Sequence, residues 1–159
     1  MKTIQTLPWL TTASLALAGC VIEIGDRTDA PRTAGAALLS ADLAVRFEGI
    51  ETPTGQIMLS VYNDSAAHDQ GGAPLRAAAV PVEGNIAMAR FEGLAPGEYA
   101  IKAFHDVDGD GTMDTNPFGV PVEPYAFSNN AKAEGGPARW EAARFVIVPG
   151  ANQTIINIK

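Results

Sequence analysis

The sequence has little cysteine, little positive charge and no long hydrophobic run. Its single cysteine, Cys20, cannot form an intrachain disulfide, so a folded domain must rely on a packed core, which the 47% hydrophobic content supports. Lysine and arginine number 11 against 18 acidic residues, which gives a net charge of −7. Nucleic acids and anionic lipid surfaces attract positive patches, so this balance argues against both as electrostatic partners.

The longest mostly apolar stretch, residues 7–18, lies near the N-terminus. It is too short to span a bilayer stably but has the length of a signal peptide, and Lys2 precedes it. The sequence Leu-Ala-Gly-Cys at residues 17–20 resembles the lipobox of bacterial lipoproteins, in which the cysteine is lipidated and begins the mature chain. We therefore expect residues 1–19 to be a lipoprotein signal peptide and Cys20 to carry the lipid. The alternative is an ordinary signal peptide that contains a cysteine by chance.

Residues 20–40 are rich in small residues and carry scattered charges. This composition is typical of a flexible tether, whose r.m.s. span is roughly 25 Å for about 20 residues. Val21 stands where an aspartate favours inner-membrane retention in many Gram-negative lipoproteins. The resemblance thus favours a protein of the cell envelope, anchored in the outer membrane through Cys20 and facing the periplasm or the cell surface. The sequence identifies no protein or glycan partner.

Short runs in which apolar and polar residues alternate begin at residue 42 and continue to the C-terminus, separated by turns. Such alternation is typical of half-buried strands, and no segment has the pattern of a long helix. The sequence predicts seven strands, at residues 43–50, 56–62, 75–82, 86–92, 98–104, 140–148 and 154–158. Residues 41–159 are therefore expected to form one all-β domain, an antiparallel β-sandwich of about seven strands, with a small barrel as the alternative.

The fifth predicted strand leads directly into a loop of closely spaced aspartates and glycines. Carboxylates at such spacing repel one another unless a cation lies among them. The spacing matches the first nine positions of a calcium-binding loop, in which carboxylates and one backbone carbonyl point inward. The expected ligands are Asp106, Asp108, Asp110, Thr112 (the backbone-carbonyl position) and Asp114.

The acidic loop departs from a helical calcium hand at its twelfth position, where Pro117 replaces the bidentate glutamate. Glu123 is the nearest downstream carboxylate, and we expect the irregular segment after the loop to fold it back as a further ligand. Calcium is the expected cofactor, with an affinity of about 10⁻⁴ to 10⁻³ M, as in extracellular modules. The alternative is a solvated acidic turn without an ion.

Several motifs in this order resemble those of the secreted bacterial family catalogued as domain of unknown function 2141. They are a Phe-x-Gly-Leu-x-Pro-Gly-x-Tyr turn, a His-Asp pair followed by an acidic glycine loop, a Gly-x-Pro-x-Glu segment and a Phe-Ser-Asn segment. The resemblance covers about residues 43–159 and implies an immunoglobulin-like or transthyretin-like sandwich. It implies no activity. Here the motifs begin at Phe91, His105, Gly119 and Phe127.

Three functions remain open on the sequence alone. The leading hypothesis is a non-enzymatic accessory or interaction module, stabilised by calcium and displayed at the envelope, with no catalytic residue assigned. The second is a carbohydrate- or small-ligand-binding module that uses Tyr125, Phe127 and Asn129 beside the ion, since recognition often depends on loops. The third is a metal-assisted hydrolase that uses His105 with the aspartates, although no serine or cysteine stands in a recognisable nucleophile setting.

Overall fold

A computed structural model describes residues 40–159 of the chain, and the predicted signal peptide, Cys20 and residues 20–39 of the tether lie outside the described residues. Within that part there are eight strands and three short helical segments. The strands are β1 Ala41–Glu48, β2 Gln56–Tyr62, β3 Arg76–Pro81, β4 Ala87–Leu94, β5 Gly97–Asp106, β6 Tyr125–Phe127, β7 Phe145–Ile147 and β8 Gly150–Asn157. The helical segments are α1 Ser65–Gln70, a 3₁₀ turn Ser128–Asn130 and α2 Trp140–Ala143.

The strands form two sheets that share one core, so the predicted all-β sandwich is confirmed. One sheet has the order β4-β1-β8, and the other has the order β3-β2-β5-β6, with β7 pairing the beginning of β5. The strand pairs are antiparallel except β1 with β8, which run parallel. The parallel pair joins the first and the last strand of the described residues and lies in the smaller sheet.

The core lies between the sheets and follows the alternation of the sequence. Leu43, Val45 and Phe47 on β1 are at most 1% exposed, and Ile57 and Val61 on β2 are fully buried. Fully burying one such side chain contributes roughly 1.5–3 kcal/mol relative to leaving it in water. The same alternation leaves every second side chain on the outer face of each sheet, where a site can form.

The predicted strand at residues 140–148 is wrong in its first half, which forms α2 instead. Trp140 and Ala143 stand three residues apart, and one helical turn buries both against the same cluster of side chains. The turn closes through the backbone, since the N–H of Arg144 donates to the carbonyl of Trp140 at 2.8 Å. Only Phe145–Ile147 pairs as a strand.

Two elements lie in segments for which the sequence predicts no regular structure. In α1 the carboxylate of Asp64 caps the helix by accepting the Ala67 N–H at 2.7 Å, and Gly71 ends it at φ 74°. The three residues of β6 pair with Lys102–Phe104 of β5. In residues 40–159 no helix has the length and apolar character that a membrane span requires.

Candidate functional site

The acidic loop begins at the last residue of β5, Asp106, which is fully buried. One carboxylate oxygen accepts the Gly109 N–H at 2.8 Å, and the other accepts the Gly111 N–H at 3.0 Å. Both glycines have φ near +80°, a conformation that turns their N–H groups inward and that other residues rarely adopt. Gln56, the register partner of Asp106 on β2, donates its side-chain amide at 2.8 Å. Asp106 therefore fixes the loop to the sheet.

Glu123 closes the loop from its far side. This residue is 8% exposed, and its carboxylate accepts the Val107 N–H at 2.9 Å and the Asp114 N–H at 3.1 Å. One side chain thus holds the backbone at both ends of the loop. The irregular segment after the loop does fold back onto it, so Glu123 lies beside the aspartates.

Carboxylate oxygens of three residues converge at the base of the loop. One oxygen each from Asp106, Asp108 and Glu123 lie within 4.8 Å of one another. Two oxygens bound to one calcium ion at 2.3–2.6 Å are at most about 5 Å apart, so this spacing fits a shared ion. Asp108 is exposed, whereas the other two are buried, so the group opens to solvent on one side.

The remaining predicted ligands lie outside that group of three. Asp110 accepts both the N–H and the hydroxyl of Thr112 at 2.7 Å, and its own N–H donates to Asp108 at 3.2 Å. These bonds form local turns among exposed residues. Asp114 is also exposed, and its backbone N–H binds Glu123. The structure therefore gathers Asp106, Asp108 and Glu123, with Asp110, Thr112 and Asp114 around them.

The loop shifts the pKa values of two aspartates in opposite directions. The hydrogen bond from Gln56 lowers the pKa of Asp106 below 3.8; burial opposes this, and the N–H groups of Gly111 and Gly109 lower it further. The pKa of Asp114 is raised above 3.8, first by lost hydration and then by the charges of the neighbouring carboxylates, of which Asp108 is the largest contributor. Asp106 is thus stabilised as an anion, whereas Asp114 lies in a negative field that a cation would neutralise.

His105 makes two hydrogen bonds, one from its ring and one from its backbone. Its ring is buried, and Nε2 lies 2.7 Å from the carbonyl oxygen of Thr54, which requires a proton on that nitrogen. Its backbone N–H donates to the carbonyl of Pro124 at 2.8 Å. The ring therefore ties β5 to the loop between β1 and β2.

A cleft of about 990 Å³ lies on the outer face of the five-stranded sheet. Its floor consists of two rows of side chains, set by the strand register and running across β3, β2, β5 and β6. The first row is Ala79, Met58, Phe104 and Tyr125, and the second is Ala77, Ser60, Lys102 and Phe127. Two irregular segments wall the cleft, one with Met113 and residues 119–121, the other with Ala133 and residues 135–137.

The cleft includes two of the three side chains predicted to bind a ligand. The rings of Tyr125 and Phe127 pack edge to face at 5.8 Å between centroids. Asn129 does not line the cleft: its amide donates to the carbonyl of Arg144 at 2.5 Å, and its φ is 58°. Asn129 therefore fixes the turn that follows β6.

Sequence reasoning missed Lys102, which lies at the floor of the cleft. Its ammonium donates to the carbonyl of His68 at 2.5 Å and lies 5.5 Å from the centre of the Tyr62 ring. Burial lowers its pKa, and the charge of Asp69 opposes this to a smaller extent. Among the described residues, no carboxylate oxygen lies within 4.0 Å of this ammonium. The available signal was a lysine within the otherwise mostly apolar run from Tyr99 to Phe104.

His68 is also buried, between the rings of Tyr62 and Trp140 at 5.3 and 5.9 Å. Its Nδ1 donates to Asp69 at 2.8 Å, and the same carboxylate oxygen accepts the Trp140 N–H. Its Nε2 has no hydrogen-bond partner within residues 40–159. Burial lowers the pKa of His68 below 6.5, and the bond to Asp69 opposes this. The sequence, which places His68 in a polar stretch, carried no signal of this burial.

Comparison with known proteins tests the family resemblance that the sequence motifs suggest. No curated protein and no solved structure matches the chain. A family model matches residues 45–156, which run from β1 into β8 and include the acidic loop and the cleft. Since that match covers well over half of the sequence, the chain belongs to the family described as uncharacterized protein conserved in bacteria (DUF2141).

Proposed function

We propose that the chain is a non-enzymatic accessory module of the bacterial cell envelope, anchored through Cys20 and stabilised by calcium in the acidic loop. The observation that carries the calcium site is the convergence of Asp106, Asp108 and Glu123 within 4.8 Å. These carboxylates come from both ends of a long irregular segment. An ion held among them would join the two ends and fix the segment to the sheet.

The charge distribution supports calcium over an empty acidic turn. Lost hydration raises the pKa of Asp114, and the charges of the carboxylates around it raise this pKa further, which is the sign of mutual repulsion in the loop. A divalent cation would convert this repulsion into attraction. Hard oxygen ligands suit calcium, whereas zinc and copper favour histidine or cysteine, which this group lacks.

The test is a thermal melt with calcium and with a chelator. A ligand that binds only the folded state, present at a concentration of about ten times its Kd, adds roughly 1.4 kcal/mol to the free energy of unfolding. For a domain of this size that raises the melting temperature by a few degrees. We expect Asp108→Asn to abolish most of that increment, because Asn keeps the shape and removes the charge. Glu92→Gln is the matched control, since Glu92 is exposed on β4. Equal melting temperatures with calcium and chelator, without heat of binding at millimolar calcium, would reduce the loop to an acidic turn.

The anchor has its own test. The Leu-Ala-Gly-Cys motif supports lipidation of Cys20, and several acyl chains anchor a protein stably where one does not. We expect wild-type protein to take up labelled fatty acid and to fractionate with the outer membrane. Cys20→Ser should lose the label and leave the membrane fraction. Identical fractionation of both proteins without label would contradict the lipoprotein assignment.

A second candidate function is favoured by the cleft. A concave, mostly apolar surface with a few polar groups is the usual form of a small-molecule site. The cleft has Tyr125 and Phe127 at one side and a lysine at its floor. These features support a ligand-binding role for the module, in addition to its calcium loop.

A further inference from the structure

We infer that the cleft binds a single-chain amphiphile with an anionic headgroup, such as a fatty acid, and that Lys102 and Ser60 hold the headgroup. The inference rests on the ligand-binding candidate just proposed and names its ligand class. It depends on three features of the cleft, namely its apolar floor, its isolated cation and its open walls.

The floor is apolar where the sheet would normally face water. In the first row, Met58, Phe104 and Tyr125 stand side by side on neighbouring strands. Small side chains at Ala77 and Ala79 leave room above the edge strand β3. A hydrocarbon chain laid along this row gains binding free energy with each methylene that it removes from water. A sugar would bring hydroxyl groups for which this row offers few hydrogen-bond partners.

The second row places a cation and a hydroxyl next to each other. Ser60 and Lys102 are register partners on β2 and β5, and the side-chain hydroxyl of Ser60 makes no hydrogen bond among the described residues. The ammonium of Lys102 uses one donor on the carbonyl of His68, which leaves two. A carboxylate or phosphate seated here would receive hydrogen bonds from both side chains.

The charge of the cleft is opposite to that of the chain. The chain has a net charge of −7, yet the described residues that line the cleft include one lysine and no aspartate, glutamate or arginine. A half-buried ammonium without a carboxylate partner is costly, and an anionic ligand would offset that cost. Charge complementarity therefore selects an anionic amphiphile over a neutral or cationic one.

The walls leave the cleft accessible and add apolar surface at its rim. Val120 lines the cleft and is 55% exposed, and Phe118, one residue before Gly119, is 89% exposed. Asn116 holds this part of the wall by accepting the N–H groups of Phe118 and Val120 at 2.9 and 3.1 Å. A volume of about 990 Å³ is at the upper end of the range usual for small-molecule sites and can hold a medium-length acyl chain.

The first experiment compares headgroups on the wild-type full chain by calorimetry, below micelle-forming concentrations. The probes are decanoate, 1-decanol and decylammonium, which share one hydrocarbon chain. We expect decanoate to bind about ten- to a hundredfold more tightly than decanol, because hydrogen bonds to a charged group contribute about 1.5–3 kcal/mol. Decylammonium should bind weakest.

The second experiment uses matched variants. Lys102→Met keeps an unbranched side chain and removes the charge, so it should reduce the preference for decanoate over decanol to within about threefold. Lys132→Met removes the same charge from an exposed position outside the cleft and should leave the preference intact. Amide shifts of Ser60 and Phe104 in NMR spectra should report decanoate binding. The dispersion of the amide signals without ligand shows whether each variant is folded.

The outcomes separate two failures. If decanoate and decanol bind equally to the wild type, the cleft takes a ligand but the anionic headgroup is wrong. If no probe binds and the cleft amides stay unshifted, both the inference and the ligand-binding candidate fail. If sedimentation instead shows a dimer and the amides of Ser60 and Phe104 shift as the protein concentration rises, the cleft is an interface between copies and the amphiphile is again excluded.

Discussion

Asp106 and Asp114 are eight residues apart in one loop, yet the fold treats their charges in opposite ways. Asp106 receives three hydrogen bonds at the end of a core strand, which lower its pKa. Among the described residues no hydrogen bond reaches the carboxylate of Asp114, and lost hydration and then the charges of the neighbouring carboxylates raise its pKa. The difference arises because N–H donors stabilise the charged form of Asp106, whereas lost hydration and then neighbouring negative charges destabilise the charged form of Asp114.

This contrast predicts a pH dependence of stability in chelator. The pKa of Asp114 is raised in the folded state, so the folded state gains protons and stability as the pH falls through that pKa toward the ordinary value of 3.8. Asp114→Asn removes the repulsion at pH 7, so we expect the variant to be more stable than the wild type there. The advantage should shrink as the pH falls. Urea unfolding at pH 7 and at lower pH measures the difference in stability between the two proteins. Equal pH profiles would show that the Asp114 carboxylate does not destabilise the folded state.

His68 predicts a second pH dependence at the residue scale. Its folded-state pKa is lowered from 6.5, so the unfolded chain binds the proton first. The wild type should therefore lose stability as the pH falls from about 6.5 through the folded-state pKa. His68→Phe keeps an aromatic ring between Tyr62 and Trp140 and should lose this part of the pH profile. Chemical unfolding of both proteins at pH 7.5 and 5.5 tests this prediction. If the free energy of unfolding changes equally with pH in both, His68 is not a neutral histidine whose pKa is lowered by burial.

At the scale of elements, one buried hydroxyl joins the sheet to α2. Ser128 is fully buried in the 3₁₀ turn after β6. Its Oγ accepts the Ile101 N–H of β5 at 2.8 Å and donates to the Ala143 carbonyl of α2 at 2.5 Å. The turn is therefore a connector, and its serine satisfies one backbone group on each neighbouring element.

Ser128→Ala should leave that donor and that acceptor unsatisfied. Each such buried group costs about 1–3 kcal/mol, so we expect a loss of roughly 2–4 kcal/mol in the free energy of unfolding. Ser65→Ala is the control, because Ser65 is exposed at the start of α1 and should change stability by less than about 0.5 kcal/mol. Denaturant unfolding measures both. Equal losses would show that the hydroxyl of Ser128 contributes nothing specific.

At the scale of the whole molecule, β8 completes the core between the two sheets. It pairs with β1 along its full length, and Ile156 is fully buried while its neighbour Ile155 is 45% exposed. Alternation along one strand thus separates a core position from a surface position within two consecutive residues of the same type.

These two isoleucines provide a matched pair for testing the core. Ile156→Ala should cost about 2–5 kcal/mol, because it removes apolar contacts and leaves a cavity between the sheets. Ile155→Ala should cost less than about 1 kcal/mol, since that side chain is partly in water. Denaturant midpoints of the two variants compare them directly. Similar losses would contradict the orientation of β8.

The amino-acid sequence by itself determined those features that depend on neighbouring residues. Alternation at period two predicts strands, and β1, β2, β4 and β5 lie close to where it places them. The all-β sandwich and the family were predicted from the sequence and are confirmed. The loop of aspartates and glycines was also predicted, because its motif depends only on residues that are close together in the sequence. Its calcium ligation and the lipid on Cys20 stay predictions.

Only the tertiary structure decided the features that depend on contacts between distant segments. The three-residue β6, the half of a predicted strand that became α2, and the parallel pairing of β1 with β8 each arise from long-range partners. The same is true of the cleft, because register alone brings Met58, Phe104 and Tyr125 into one row. Local sequence carries no register, since a strand fits many partners until its buried face and its hydrogen bonds select one.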